Sequence, residues 1–112
     1  MWYIKEFKIN AEKKTLLVKL DGDIDHHNVK RVRTELDREI EKIGIRNIAF
    51  DFSSVRFMDS AGIGMIMGRY RRINAIGGKI YIIGANEDVK RIIGISGLGN
   101  IVEIYNDWSE FE

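Results

Sequence analysis

Hydrophobic and polar positions follow two different periods along this chain, and each change of period marks an element. From Thr15 to Leu20, Leu16, Val18 and Leu20 fall on one face and Lys19 on the other, the period of two of a half-buried strand. Ile48, Phe50 and Phe52 alternate in the same way with Asn47, Ala49 and Asp51, which predicts a strand with one apolar face. Between them the period lengthens. Val29, Val32, Leu36, Ile40 and Ile43 recur at spacings of three and four, so residues Asp25 to Ile43 read as an amphipathic helix. Its remaining surface is charged, with Arg31 and Glu35, and Arg33 and Asp37, placed to pair at i, i+4. Asp25 is the expected N-cap and Gly44 the expected stop, while Asp21-Gly22-Asp23 is expected to break the strand before the helix.

The same reading extends to both ends. Trp2 to Ile9 mixes apolar and charged residues, as an edge strand does, and Asn10 to Lys14 fits a hairpin turn. A second helix runs from about Ser60 to Ile76 and stops at Gly77-Gly78. Lys79 to Ile83 is a nearly continuous apolar run, which predicts a central strand. Asn86 caps a third helix with Val89, Ile92 and Ile93 facing inward, and the turn Ser96 to Asn100 leads to a last strand, Ile101 to Tyr105. Asp107 is placed to cap a short final helix with Trp108 and Phe111 on one side. The alternation predicts an α/β fold with a mixed sheet of about five strands, mostly parallel and joined by right-handed crossovers, with helices chiefly on one face. No repeat or linker interrupts residues 1–112, so a single domain is expected.

Composition narrows the function. Lys and Arg number 18 against 17 Asp and Glu, a net charge of +1 without the basic excess that non-specific nucleic-acid binding requires. There is no cysteine, which excludes disulfides, thiolate chemistry and cysteine-based metal sites. No apolar run approaches the length of a membrane span, and the N-terminal MWYIKEFKIN lacks the pattern of a signal peptide. A cytoplasmic protein is the expectation.

Candidate chemistry concentrates in residues Asp51 to Gly68, DFSSVRFMDSAGIGMIMG. An apolar strand gives way to a polar loop at Ser53-Ser54, and at Asp59-Ser60 the period becomes helical. A helix start exposes unpaired N–H groups and partial positive charge, so Ser60 there is either a cap or a hydroxyl in an anion-tolerant place. Gly62, Gly64 and Gly68 each cost about 1 kcal/mol relative to alanine inside a helix and need a reason. Close packing accounts for Gly68. For Gly62 and Gly64, close packing and the approach of a ligand or partner stand level. A dinucleotide fingerprint fails, because Met67 holds the third glycine position and no acid ends the next strand. A phosphate-binding G-x-x-x-x-G-K-[ST] loop is absent. Ser60 lacks the glycine of a nucleophile elbow, and the only histidines, His26 and His27, read more simply as solvated or interfacial residues than as a catalytic base. The cluster Asp23 to His27 has no recurring zinc spacing. On residue chemistry alone, Ser60 is a capping serine before it is a phosphoryl acceptor.

Resemblance shifts that balance. Phe57-Met58-Asp59-Ser60-Ala61-Gly62-Ile63-Gly64 resembles the phosphorylation motif of bacterial anti-sigma factor antagonists, the STAS-domain family. Leu20 to His27, LDGDIDHH, together with Gly68-Arg69-Tyr70 and Ser96-Gly97-Leu98, resembles the sporulation branch of that family, the SpoIIAA type. The resemblance implies a STAS-like domain without catalysis or cofactor of its own. It implies that the unmodified protein binds an anti-sigma factor that is also an ATP-dependent serine kinase, and so frees a sigma factor. Phosphorylation of the matching serine, Ser60, ends the complex, and a metal-dependent serine phosphatase of the PP2C type resets it. Matched residue by residue, Asp25 docks on an arginine of the kinase, and Asp23 occupies a position that is often glutamate. Asp23, Asp25, His26, Asp59, Ser60, Ala61, Gly62 and Gly64 are therefore the expected partner-binding residues, with no metal site. Two other readings remain: a STAS scaffold or sensor subunit of another signalling or transport complex, and an enzyme or nucleotide-binding protein using Ser60 or the glycine-rich helix start.

Overall fold

The computed structural model describes residues 3–10, 12–24, 26–27, 29–42 and 44–111. Its strands are β1 (Tyr3–Asn10), β2 (Thr15–Ile24), β3 (Asn47–Met58), β4 (Ile80–Ile83) and β5 (Glu103–Tyr105). Its helices are α1 (Val29–Ile40), α2 (Ser60–Ala75), α3 (Glu87–Ser96) and α4 (Trp108–Phe111), with a single 3-10 turn at Leu98–Asn100. The strands form one sheet in the order β1-β2-β3-β4-β5. β1 runs antiparallel to β2, and every other neighbouring pair is parallel. This is the α/β architecture that the alternating periods predict.

The core lies on one side of the sheet. Leu16, Val18 and Leu20 from β2, Ile48, Phe50 and Phe52 from β3, and Ile80 and Ile82 from β4 present one apolar surface. Val32 and Leu36 of α1, Met65, Ile66 and Ile73 of α2, and Val89 and Ile93 of α3 cover it. On the opposite side the short helix α4 covers part of the sheet, over Asp51, Tyr81 and Tyr105. Asp107 Oδ1 accepts the Glu110 N–H at 3.0 Å and starts this helix, as expected. The Phe111 ring then packs on Tyr81 and Tyr105, with centroids 4.9 and 5.4 Å away. The prediction of one apolar face for β3 is therefore corrected, because Ala49 and Asp51 are buried as well.

Asp51 explains a second correction. The strand was expected to end in a polar loop at Ser53-Ser54, but β3 continues to Met58. The Asp51 carboxylate accepts the Ser53 N–H at 2.9 Å, the Ser53 hydroxyl at 2.6 Å and the Trp108 indole N–H at 2.9 Å. Lys19 Nζ lies 3.6 Å away. Burial pushes the Asp51 pKa up, but these donors and the lysine outweigh it, and the carboxyl sits below its ordinary value. With its serine satisfied locally, the strand keeps pairing: Ser54, Val55 and Met58 lie opposite Asp21, Gly22 and Ile24.

That pairing also corrects the expected break at Asp21-Gly22-Asp23. β2 runs through it by shifting register against β3 between Lys19 and Asp21 and again between Gly22 and Ile24. Gly22, at φ 92, adopts a backbone conformation that side-chain-bearing residues rarely hold. The long, irregular β2–β3 pair carries the Asp23 region to the β3–α2 junction. α1 begins at Val29, four positions after the expected cap Asp25, which lies outside the described residues.

α2 is fixed to the body at its C-terminal half. Arg69, buried to 8% exposure, places Nε 3.1 Å from Asp37 Oδ1 of α1. Arg72 Nη1 approaches the same oxygen at 2.9 Å and its Nη2 reaches Glu41 at 3.6 Å. Asp37, expected to pair with Arg33 along α1, instead joins α1 to α2. The helix stops at Gly77, in the left-handed region at φ 76, and Gly78. A Cβ at Gly78 would overlap the Arg46 carbonyl oxygen and press on Ile73, so the exit passes too close to the neighbouring chain for any larger residue.

Candidate functional site

The N-terminal end of α2 emerges where β3 leaves the sheet beside the end of β2. Asp59, extended at φ −106 and ψ −169, is the N-cap, and its Oδ1 accepts the Ala61 N–H at 2.8 Å. Its carbonyl oxygen accepts Gly62 N–H at 3.1 Å and Ile63 N–H at 3.4 Å. The capping role that residue chemistry assigned to Ser60 therefore belongs to Asp59. Ser60 is the first helical residue; its side chain is exposed, and its hydroxyl has no hydrogen-bond partner among the described residues.

The predicted site residues largely converge here. His26 Nδ1 lies 3.8 Å from Asp59 Oδ2, and the His26 and His27 rings lie 4.0 Å apart. Asp23 Oδ1 faces Arg56 Nε at 3.9 Å. Register explains the convergence, because Ile24 pairs with Met58 and sets the segment after β2 next to the start of α2. Asp25 lies outside the described residues. Ala61 is half-buried and Gly62 buried, so Gly62 shapes the helix start from within. Gly64, one turn beyond Ser60, is exposed, and a Cβ there would meet nothing within 4 Å. Gly68 is half-buried, but a Cβ there would also meet nothing within 4 Å, so close packing, expected to explain that glycine, does not. Ser60, Gly64 and Gly68 thus fall on one ridge at i, i+4, i+8, small-sided and open on the outside.

Neither of two neighbours was expected as a site residue, although Phe57 opens the motif that marks Ser60. Phe57 is 53% exposed and Arg56 is exposed, side by side on β3 just before the helix. Alternation along β3 fails at this point, with Val55 and Met58 buried and the two residues between them outside. Only that double step could have signalled them.

The geometry limits the chemistry. No histidine nitrogen is hydrogen-bonded to the Ser60 hydroxyl among the described residues; His26 faces the Asp59 carboxylate instead. A serine activated by its own chain would need the base on the hydroxyl. Among the described residues no group of His, Asp and Glu has the arrangement of a metal site. None of the helices is long and apolar enough to cross a membrane. What the site offers is an accessible hydroxyl on a rigid helix start, next to a carboxylate, with an imidazole and a second carboxylate at its rim.

Comparison with known proteins places this arrangement. The family model of the STAS domain matches residues 6–111. The anti-sigma F factor antagonist of Paenibacillus polymyxa is 34% identical over 102 residues, covering 91% of this chain and 87% of that protein. The structure of the anti-sigma factor antagonist SpoIIAA in its unphosphorylated form superposes with a TM-score of 0.77 at 27% identity, covering 88% of this chain and 85% of that one. The phosphorylated form of the Bacillus cell-fate determinant SpoIIAA superposes with a TM-score of 0.69 at 26% identity, over 88% of each chain.

Proposed function

The chain belongs to the STAS-domain family, and from that premise we propose that it is an anti-sigma factor antagonist switched by phosphorylation of Ser60. In its unmodified form it binds an anti-sigma factor that is a serine kinase, and the sigma factor is released. The kinase brings ATP and the base. The Ser60 oxygen bonds to the γ-phosphorus, the bond from that phosphorus to the bridging oxygen of ADP breaks, and the hydroxyl proton passes to the kinase. Phosphorylation ends the association, and a PP2C-type serine phosphatase restores the hydroxyl. A cytoplasmic setting follows from these partners.

The observation that carries this reading is the Ser60 hydroxyl, exposed and without a hydrogen-bond partner among the described residues, at the start of a helix whose next turn is bare at Gly64. A kinase active site must surround its acceptor, and a side chain at Gly64 would stand where the kinase surface comes down. Asp23, His26 and Asp59 form the rim that the partner meets, with Asp25 joining them by family resemblance. A phosphoryl group adds about −1.5 to −2 charges beside Asp59 and new bulk on the ridge. A partner surface that tolerated one carboxylate then faces a strongly anionic projection, and like-charge juxtaposition costs several kcal/mol at an interface.

The test is incubation with the cognate kinase and ATP, followed by mass spectrometry of the peptides. Phosphate on Ser60 is expected. Ser60→Ala should bind the kinase and remain unmodified, and Ser60→Asp should bind at least tenfold more weakly. Phosphate on another residue, or parental affinity in Ser60→Asp, rejects the switch.

A further inference from the structure

Resting on the phosphorylation of Ser60 proposed above, we infer that His26 supplies the counter-charge of the phosphoserine. A phosphate at a helix start usually draws on the free N–H groups of the first turn. Here those groups are taken. Asp59 Oδ1 holds the Ala61 N–H, and the Asp59 carbonyl holds those of Gly62 and Ile63. Only the N–H of Ser60 itself remains among them. The carboxylate that performs the capping adds a negative charge next to the modified side chain. The dianion therefore depends on a cation from outside the helix.

Among the described residues, Arg56, His26 and His27 carry the basic side chains at this junction. Arg56 faces Asp23, at 3.9 Å, from the β3 side. His26 faces Asp59 Oδ2, at 3.8 Å, and its side chain is 70% exposed, so the ring can turn from that oxygen to a neighbouring phosphate without unpacking. Among the described residues, the titratable and charged groups around the imidazole include Asp59 at the start of α2, His27 with its ring tilted 4.0 Å away, and the Asp23–Arg56 pair at the ends of β2 and β3. A phosphate on Ser60 adds the largest charge in this group, and among the described residues His26 is a basic side chain already facing the carboxylate at the start of α2. His26 is thus a positioning residue with two successive partners, the Asp59 carboxylate before modification and the phosphate after it.

Phosphoserine incorporated at position 60 during translation allows a test that needs no kinase. A ³¹P NMR titration follows the second ionisation of the phosphate in the parent, His26→Gln and Arg56→Gln proteins. Loss of a nearby cation should move that ionisation up by about half a pH unit in His26→Gln, an effect that shrinks as salt is raised. Arg56→Gln should move it less. An unchanged titration in His26→Gln, or a larger rise in Arg56→Gln, overturns the assignment. The exposed position of His26 leaves the fold undisturbed, which circular dichroism of the variant checks. Should a kinase fail to modify Ser60, the function proposed above falls, while the titration still reports on His26.

Discussion

The two ends of α2 are built in opposite ways. The C-terminal half is bound to the body: Arg69 and Arg72 converge on Asp37, Ile73 is fully buried, and the exit at Gly78 lies against the Arg46 backbone. At the N-terminal end Ser60 has no side-chain partner among the described residues, and a side chain at Gly64 would meet only solvent. Glycine is costly in a helix and is tolerated where anchoring elsewhere holds the helix in place. The difference indicates a division of labour within sixteen residues, in which the C-terminal half carries the ion pairs to α1 and the outer face of the first turns stays bare, while Gly62, Met65 and Ile66 pack inward.

The strongest way to break the comparison is to strike the anchored end. Gly78→Ala drives a methyl group into the Arg46 carbonyl, which cannot retreat because the Arg46 and Asn47 N–H groups are bonded to the Lys14 carbonyl. A loss of about 3 kcal/mol is expected in urea unfolding, at the top of the range for overpacking. Next comes Asp37→Ala, which leaves the buried Arg69 guanidinium facing Arg72 and Arg33 with its main counter-charge gone. Breaking a fully buried pair costs 3–5 kcal/mol, and since Asp37 is about a third exposed the expected loss is about 2 kcal/mol. Adding Arg69→Met to that variant should recover much of it, which measures the pair rather than the packing. Loss of only a few tenths in both single variants would mean that the C-terminal end is no anchor.

Much of this contrast was legible in the sequence, and the illegible part has a physical cause. Helical and strand periods located β2, α1, β3 and α3 because burial on one face imposes them: Val89 and Ile93 do point inward, and Asn86 does cap α3, accepting the Val89 N–H at 2.8 Å. Asp21-Gly22-Asp23 and Ser53-Ser54 were misread as breaks because register shifts keep β2 paired with β3 and the Asp51 carboxylate holds Ser53, arrangements that exist only once the strands pair. Asp37 was assigned to Arg33 from local spacing, whereas its partners come from another helix. At the site, the motif marked Ser60 but left the cap undecided. Asp and Ser are equally good caps, and only the extended backbone at Asp59 assigns the role.

Gly64→Ala sharpens the comparison by separating stability from function. Its Cβ enters open space, so the helix gains about 1 kcal/mol, a rise in Tm of about 4 °C. The same methyl group stands on the ridge one turn from Ser60. We expect weaker binding of the kinase and slower phosphorylation from a more stable protein. If the substitution stabilises and leaves both unaffected, the bare ridge is not where the partner rests.

The smallest effect is expected at the residue that matters most. Ser60→Ala removes a hydroxyl that bonds to nothing among the described residues and replaces it with the better helix former, while the cap stays with Asp59. Thermal unfolding should move by less than about 0.5 kcal/mol in either direction, whereas Asp59→Ala, which frees the Ala61 N–H, should cost about 1 kcal/mol. This pair of variants tests the assignment of roles directly. A serine that capped the helix would reverse the order, with Ser60→Ala the more damaging. A loss above 1 kcal/mol in Ser60→Ala would mean that the hydroxyl is tied into the fold, and a tied hydroxyl is not one that another protein's nucleotide can readily reach.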